Sequence, residues 1–430
     1  MSRLVVRGAR WPGDIAIADG WIVAVGDVPA QDGDTVLRAD GDIVTAGLVN
    51  THHHLYQWMT RGRAVGGDLF AWLTELYPVW ARLDVADVHA AALVGLAELA
   101  RSGCTTVADH HYLVPHGDDT VFDAIVEAAR AVGVRLHLAR GSMDLGASAG
   151  GLPPDDVVED LDAILASTES VIARHHDGVR TVVTVAPCSP FSVSPQLMTE
   201  SAVLARRHGL RLHTHLAETA DEERDALARF GRRPVAVLED LGWIADDVWV
   251  AHGIHLDDAE VTRLGAAGVG VAHCPSSNAR LAAGVCRVTD LEAAGVPVGL
   301  GVDGVASNEV GGLAAELRQS LYAARQLAGS PAAFSPADAL RLGTEGGAAC
   351  LGRGDLGRLA PGYRADLVVW PGDHLGDMPD PLAALVLGPT PAARHVLVGG
   401  DAVVIDSQLT GVDLHAAHRD LAGRARRLWE

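Results

Sequence analysis

The sequence predicts an α/β protein: a distorted (β/α)8 barrel of the TIM type, joined to a small β-sandwich built from both chain ends. Three observations carry this. The chain has 430 residues, about twice the usual single-domain length, which suits one large barrel and a smaller companion. From Gly47 to about Leu351, short apolar runs alternate with longer helical stretches, the rhythm of a parallel sheet wrapped by helices. Both ends instead carry short runs punctuated by Gly, Asp and Pro, as antiparallel strands do.

At the N-terminus these runs are LVV, DIAIAD and WIVAVGD, between Leu4 and Leu37. Near the C-terminus ADLVVW (Ala365 to Trp370) and HVLVGGDAVVID (His395 to Asp406) repeat the style. Residues 1–46 and 355–430 are therefore assigned to the β-sandwich and 47–354 to the barrel. Eight strand runs follow in order: DIVTAGLVN, then TTVAD from Thr105, VRLHLAR from Val134, VRTVVTVAP from Val179, LRLHTHLAE from Leu210, VWVAHG from Val248, VGVAHCP from Val269 and VPVGLGVDG from Val296. Helical stretches between them, such as those closing on Gly103 and Gly209, end in glycine as helix C-termini often do.

Composition excludes several chemistries. Formal net charge is −21, and all 34 basic residues are arginine. Without lysine there is no Schiff base, no phosphate-binding Walker lysine and no carboxylated lysine bridging two metal ions. The acidic balance argues against nucleic-acid backbones and anionic membrane surfaces. Five scattered cysteines with no CxxC pair fit a reducing compartment and read as small buried hydrophobes. No signal-like or membrane-spanning apolar run is present, so a cytoplasmic protein is expected.

Strands buried on both faces are ordinarily apolar, yet six of the eight runs carry His or Asp at or near their C-terminal ends. These are His52 and His54, Asp109 with His110 and His111, His213 and His215, His252, His273 and Asp303. In a barrel the C-terminal strand ends converge on the rim that carries active sites. A single such histidine is commonly satisfied by a backbone bond; a set of them on one rim is the pattern of a metal centre. Within Thr51-His-His-His-Leu55, side chains alternate along a strand, so His52 and His54 share a face and His53 takes the other. The same parity places His213 and His215 on one face and does not choose between them.

The ordered motifs GLVNTHHH, HLAE (His215 to Glu218), AHG (Ala251 to Gly253), AHCPSSN (Ala272 to Asn278) and GVDGVASN (Gly301 to Asn308) resemble the amidohydrolase superfamily, in its cytosine deaminase and chlorohydrolase-like branch. The resemblance spans almost the whole chain, and DIAIADGWIVAVG and PGYRADLVVW are similar to that family's end-built β-sandwich. It implies that His52, His54, His215 and Asp303 ligate one divalent ion, zinc or else iron, leaving His213 a core or orienting residue. Such an ion with an open position lowers the pKa of water toward neutrality, supplying a nucleophile without serine or cysteine. It further implies that Glu218 is the proton shuttle, that His252 bonds the water or the developing oxyanion, and that Asp303 takes a proton while remaining a ligand. His273 is left open between a catalytic and a structural role. A different zinc plan, HxE followed by PCxxC, is absent, because Phe191 stands where the second cysteine is needed.

The resemblance also bears on substrate. Members acting on nucleosides carry an acid after a Pro-x pair; here that position is Trp80. Tryptophan walls a flat heterocycle but cannot accept two ribose hydroxyls, so a small-molecule free base is expected. The stretches HHHLYQ, LFAWLTELYPVWARL, TVADHHYLVP and APCSPFSVSPQLM resemble a subgroup acting on oxidised purines such as 8-oxoguanine, whose relatives include hydroxytriazine aminohydrolases. Gln57, Trp80, His110, His111, Ser189, His252 and His273 are then the groups expected to meet the ring. Relatives suggest a homo-oligomer.

Overall fold

The computed structural model describes residues 3–375 and 377–430. Eight parallel strands stand in sequential order around a barrel: Leu48–Asn50, Cys104–His111, Arg135–Ser142, Thr181–Pro187, Leu212–Leu216, Val248–His252, Gly270–His273 and Val298–Leu300. The seam between the first and the eighth is bridged by the Thr51 N–H donating to the Leu300 carbonyl at 2.9 Å. Above it, His53–His54 and Asp303–Gly304 pair in parallel. This is the expected barrel, nearly closed.

One predicted strand is two. Ile43–Ala46 pairs antiparallel with Leu367–Trp370 in an end sheet, and only Leu48–Asn50 enters the barrel. Gly47 marks the break: a Cβ there would lie 2.1 Å from Thr105 Oγ1, so only glycine lets the chain cross this close.

Two end sheets face each other, one of four strands from Leu4 to Arg38 and one of five that joins Ile43–Ala46 to four C-terminal strands. Strand alternation makes the five-stranded sheet two-sided. Leu367, Val369 and Leu397 pack with Val6, Ile15 and Ile17 of the other sheet, while Val368, Trp370, Val396 and Val398 join the large barrel cluster. A buried ion pair ties the units: Arg135 Nε and Nη2 donate to Asp366 at 2.7 and 2.9 Å. The final helix, Leu414–Trp429, lies against the barrel helix Val85–Arg101, with Arg424 and Arg427 on Asp87.

That barrel helix starts at an Asp84–Asp87 capping box and is followed by Gly103 at φ 90°. Pro195–Arg207 is capped by Ser194 and is likewise followed by a left-handed glycine, Gly209. Among the described residues no helix is long and apolar enough to cross a membrane.

Candidate metal centre and active site

At the C-terminal rim His52, His54, His110, His215, His252 and Asp303 are buried together. The hydrogen bonds behind them fix which ring nitrogens face the centre. His54 Nδ1 donates to the His110 carbonyl at 2.7 Å, and His215 Nδ1 to the Cys188 carbonyl at 2.7 Å. A carbonyl only accepts, so each Nδ1 carries a hydrogen and each Nε2 of the neutral ring presents a lone pair. These two Nε2 atoms lie 3.2 Å apart.

His52 is set by a longer relay. His213 Nδ1 donates to the Trp249 carbonyl at 3.0 Å, leaving its Nε2 to accept from His52 Nδ1 at 2.9 Å. His52 Nε2 therefore also presents a lone pair; it is buried with no hydrogen-bond partner and lies 3.4 Å from Asp303 Oδ1, with His54 Nε2 at 3.3 Å from the same oxygen. Burial drives the pKa of His52 and of His215 well below the ordinary value, which keeps both rings neutral.

Three lone pairs and one carboxylate oxygen thus converge without a proton between them, an arrangement that needs a cation. Donors bound 2.0–2.1 Å from a tetrahedral zinc lie about 3.3 Å from one another, and the spacings here, 3.2 to 3.4 Å, match. The donor set fits a divalent ion.

Asp303 is held from every side. Ser277 Oγ donates to its Oδ2 at 2.6 Å and the Gly304 N–H to its Oδ1 at 2.7 Å. Its backbone sits at φ 62°, a left-handed conformation that costs a non-glycine residue about 1 kcal/mol. Burial raises its pKa, but the contacts with His52 and His54 outweigh burial and hold the carboxyl well below its usual range. The Asp303 carbonyl accepts from His53 Nδ1, so the middle histidine points away from the centre.

Opposite stand His252 and Glu218, with Nε2 and Oε2 3.6 Å apart. His252 Nδ1 donates to Asn278 Oδ1 at 3.0 Å, which aims Nε2 inward. Burial lowers the His252 pKa, yet the charges of Glu218 and Asp303 outweigh it and the net direction is up. Burial raises that of Glu218. A buried carboxyl that holds its proton more readily than an exposed one, beside a metal-type centre, is equipped to move protons.

Above the centre a small cleft opens. Its apolar wall is Leu69, Trp72, Leu73 and Tyr77 from the helix Leu69–Trp80, and its polar groups include Gln57, Ser189 and Ser307. Gln57 Oε1 accepts from the Ala306 N–H at 3.3 Å; a Cβ on Gly304 would fall 1.8 Å from that oxygen, so glycine makes room for the amide beside Asp303. Ser189 Oγ lies 2.8 Å from Ser192 Oγ.

Four residues expected at the ring lie elsewhere. Trp80 is fully buried, edge-on to Tyr56, Trp72 and Tyr77, with Nε1 donating to Thr60 Oγ1 at 3.0 Å. It shares the apolar stripe of its helix but lies about 12 Å further along the axis than Trp72, and Trp72 and Tyr77 form the wall instead. His110 belongs to the donor cluster and not to the cleft: one of its ring nitrogens lies within 4.8 Å of those of His52, His54 and His215, while its Nε2 donates to the Ala186 carbonyl at 2.8 Å and its own carbonyl orients His54. His111 packs against Phe122 and Tyr56. His273 is buried with neither ring nitrogen partnered, and burial takes its pKa to about 3. None of the four lines the cleft.

Sequence reasoning missed Trp72, Tyr77, Ser277, Asn278 and Glu222. The spacing of Leu69, Trp72, Leu73 and Tyr77 is an apolar helical stripe and was legible as such. Ser277 and Asn278 stand inside AHCPSSN, but what they touch depends on the short helix Pro275–Arg280.

Residues 43–403 match the Amidohydrolase family, and the chain belongs to that family: it is a hydrolase acting on C–N bonds. More particularly, it is 49% identical to 8-oxoguanine deaminase of Pseudomonas aeruginosa, over 97% of this chain and 95% of that one. It is 40% identical to hydroxydechloroatrazine ethylaminohydrolase of Pseudomonas sp. (strain ADP), over 82% of this chain and 77% of that one. Among solved structures, atrazine chlorohydrolase of Arthrobacter aurescens complexed with zinc superposes with a TM-score of 0.93 at 30% identity, covering 98% of this chain and 100% of that one.

Proposed function

We propose that the protein deaminates a free oxidised purine base, converting 8-oxoguanine and water to urate and ammonia. The observation that carries this reading is the lining of the cleft. Among the described residues its only carboxylates are Glu218 and Asp303, both at the reacting end with His54, His215 and His252, and the rest is chiefly an aromatic and aliphatic wall with amide and hydroxyl groups. A flat neutral ring with carbonyl and N–H edges suits such a lining, whereas a ribose would meet no carboxylate set apart for its hydroxyls. The high identity to an 8-oxoguanine deaminase supports the same class.

In this reading His52, His54, His215 and Asp303 hold one divalent ion, zinc first among the candidates and iron second. When bound, the ion supplies Lewis acidity that brings the pKa of water toward neutrality. Asp303 accepts a proton from the attacking water, and His252 Nε2 steadies the oxygen at the ring carbon. Glu218, whose buried carboxyl holds a proton more readily than an exposed one, gives that proton to the adjacent ring nitrogen, and the two protons given up by the water restore Glu218 and convert the departing amine to ammonia. Gln57, its Oε1 engaged by Ala306, turns Nε2 toward a ring acceptor.

The test is ammonia release from 8-oxoguanine, isoguanine, guanine, isocytosine and hydroxytriazines by zinc-loaded protein, with metal content measured on the same sample. Ammonia from 8-oxoguanine with urate as product is expected. Release of alkylamine or chloride in place of ammonia assigns the triazine chemistry of the other relatives, and silence on the whole panel refutes deamination. Glu218→Gln should keep the metal and lose several orders of magnitude in turnover; activity within about tenfold, roughly 1.4 kcal/mol, removes the shuttle role.

A further inference from the structure

Glu222 lies in the first turn of the helix Ala220–Phe230, buried at 3% exposure and outside the cleft lining. Its two carboxylate oxygens grip consecutive amides: Oε1 accepts from Ala217 N at 2.9 Å and Oε2 from Glu218 N at 2.9 Å. Ala217 is left-handed, at φ 52°, and its carbonyl accepts from both Ile254 N and His255 N at 2.9 Å. The chain thus leaves the fifth barrel strand through a sharp turn that lifts Glu218 over the cleft and toward His252.

Helix capping does not account for this. Thr219 is the N-cap, its Oγ1 accepting from Glu222 N at 3.4 Å. In a capping box the glutamate at this position would reach back to the N-cap amide. Here it passes the Thr219 amide and takes the two before it. The carboxylate is committed to the turn that carries Glu218, and without it a strained alanine and two buried amides lose their partner.

We infer that Glu222 is a positioning residue for the reaction, a carboxylate clamp that fixes the backbone of Ala217 and Glu218 and so sets where the Glu218 carboxyl meets the substrate. This rests on the shuttle role proposed for Glu218. A displacement of the order of 1 Å in such a group costs about a hundredfold in rate, whereas the ligands of the centre are anchored independently through Cys188, His110 and His213.

The experiment uses the zinc-loaded enzyme, with kcat, KM, metal content and thermal midpoint measured for Glu222→Ala, Glu222→Gln, Glu218→Gln and the Glu218→Gln/Glu222→Ala double variant. The substrate is whichever base the ammonia screen identifies. Glu222→Ala is expected to lower kcat by about 10- to 100-fold with KM changed less than about threefold and one metal per chain retained. Glu222→Gln, which keeps the shape and one acceptor oxygen, should recover part of that loss, and it is the variant read if the alanine form does not fold. In the Glu218→Gln background the alanine substitution should cost less than about twofold, because its effect passes through Glu218. An equal cost in both backgrounds overturns the clamp while leaving the shuttle standing. Wild-type turnover in Glu218→Gln alone overturns the shuttle, and the clamp with it.

Discussion

His213→Phe isolates the relay behind the centre. Phenylalanine keeps a flat ring, somewhat larger than the imidazole, stacked on Trp249, whose ring centroid lies 4.4 Å from that of His213 at 20°. It removes both nitrogens, orphaning His52 Nδ1–H, now 2.9 Å from its acceptor, and the Trp249 carbonyl, now 3.0 Å from its donor. Both stand in a fully buried interior, so each orphan costs about 1–3 kcal/mol and the fold loses about 2–6 kcal/mol. The larger consequence is at the centre. Without an acceptor for Nδ1–H, His52 is free to move its proton to Nε2 and so to offer a donor where a lone pair is needed. Loss of such an outer partner weakens metal binding about 10- to 100-fold, which is roughly 1.4–2.7 kcal/mol. Zinc affinity by competition with a chromophoric chelator, read beside kcat/KM in excess zinc, checks this. Activity should fall steeply when metal is limiting and recover for the most part when it is not. A folded His213→Phe protein whose zinc affinity stays within twofold of wild type would refute the relay.

Two further expectations concern stability. Arg135→Met strips Asp366 of a bidentate partner and leaves it the Gly399 N–H at 2.7 Å; breaking a buried pair on one side costs about 3–5 kcal/mol. Equilibrium denaturation reads it, adding Asp366→Leu should restore much of the loss, and a single-variant cost under 1 kcal/mol contradicts the tie. Glu316, fully buried, accepts from Ser276 Oγ at 2.7 Å, Ser276 N at 3.1 Å and Asn308 Nδ2 at 3.0 Å, joining the loops that bear Ser277 and Asp303. Burial lifts its carboxyl from an ordinary 4.5 to about 7. A raised carboxyl stabilises the fold fully below its unfolded value, and that contribution is lost as pH rises through the folded value. Glu316→Gln should therefore gain roughly 3 kcal/mol on wild type between pH 4 and pH 8. Unfolding free energies at the two pH values decide it, and parallel curves for the two proteins reject it.

The barrel and most of the polar rim were legible because two rules act locally. Strand parity separates His53 from His52 and His54, and the alternation of apolar runs with helical ones counts the strands. What escaped depends on distance along an element or on a partner far away in sequence. His213 and His215 share a face, and only depth distinguishes them: two residues of strand, about 6.6 Å, put His213 beneath the centre against Trp249. Trp80 and Trp72 share a helical stripe, and only position along the axis leaves one in the core and the other at the cleft. The run DIVTAGLVN is continuous in hydropathy, and its break at Gly47 is decided by pairing with Leu367–Trp370, more than three hundred residues away.

The groups that face the centre and the apolar wall of the cleft occupy different elements of the fold. The rings of His54 and His215 are oriented by the barrel itself through the carbonyls of His110 and Cys188, and that of His52 through His213 by the carbonyl of Trp249. Changes to those strands disturb the fold and the ion together. The apolar wall of the cleft is carried instead by the helix Leu69–Trp80, fixed by its Asp68 cap and by Trp72 Nε1 donating to the Ala306 carbonyl at 3.1 Å. Leu69, Leu73 and Tyr77 can change size on that helix without touching an orienting bond. Substitutions there should shift the preferred ring while zinc affinity stays constant, the opposite of what substitution at His213 does.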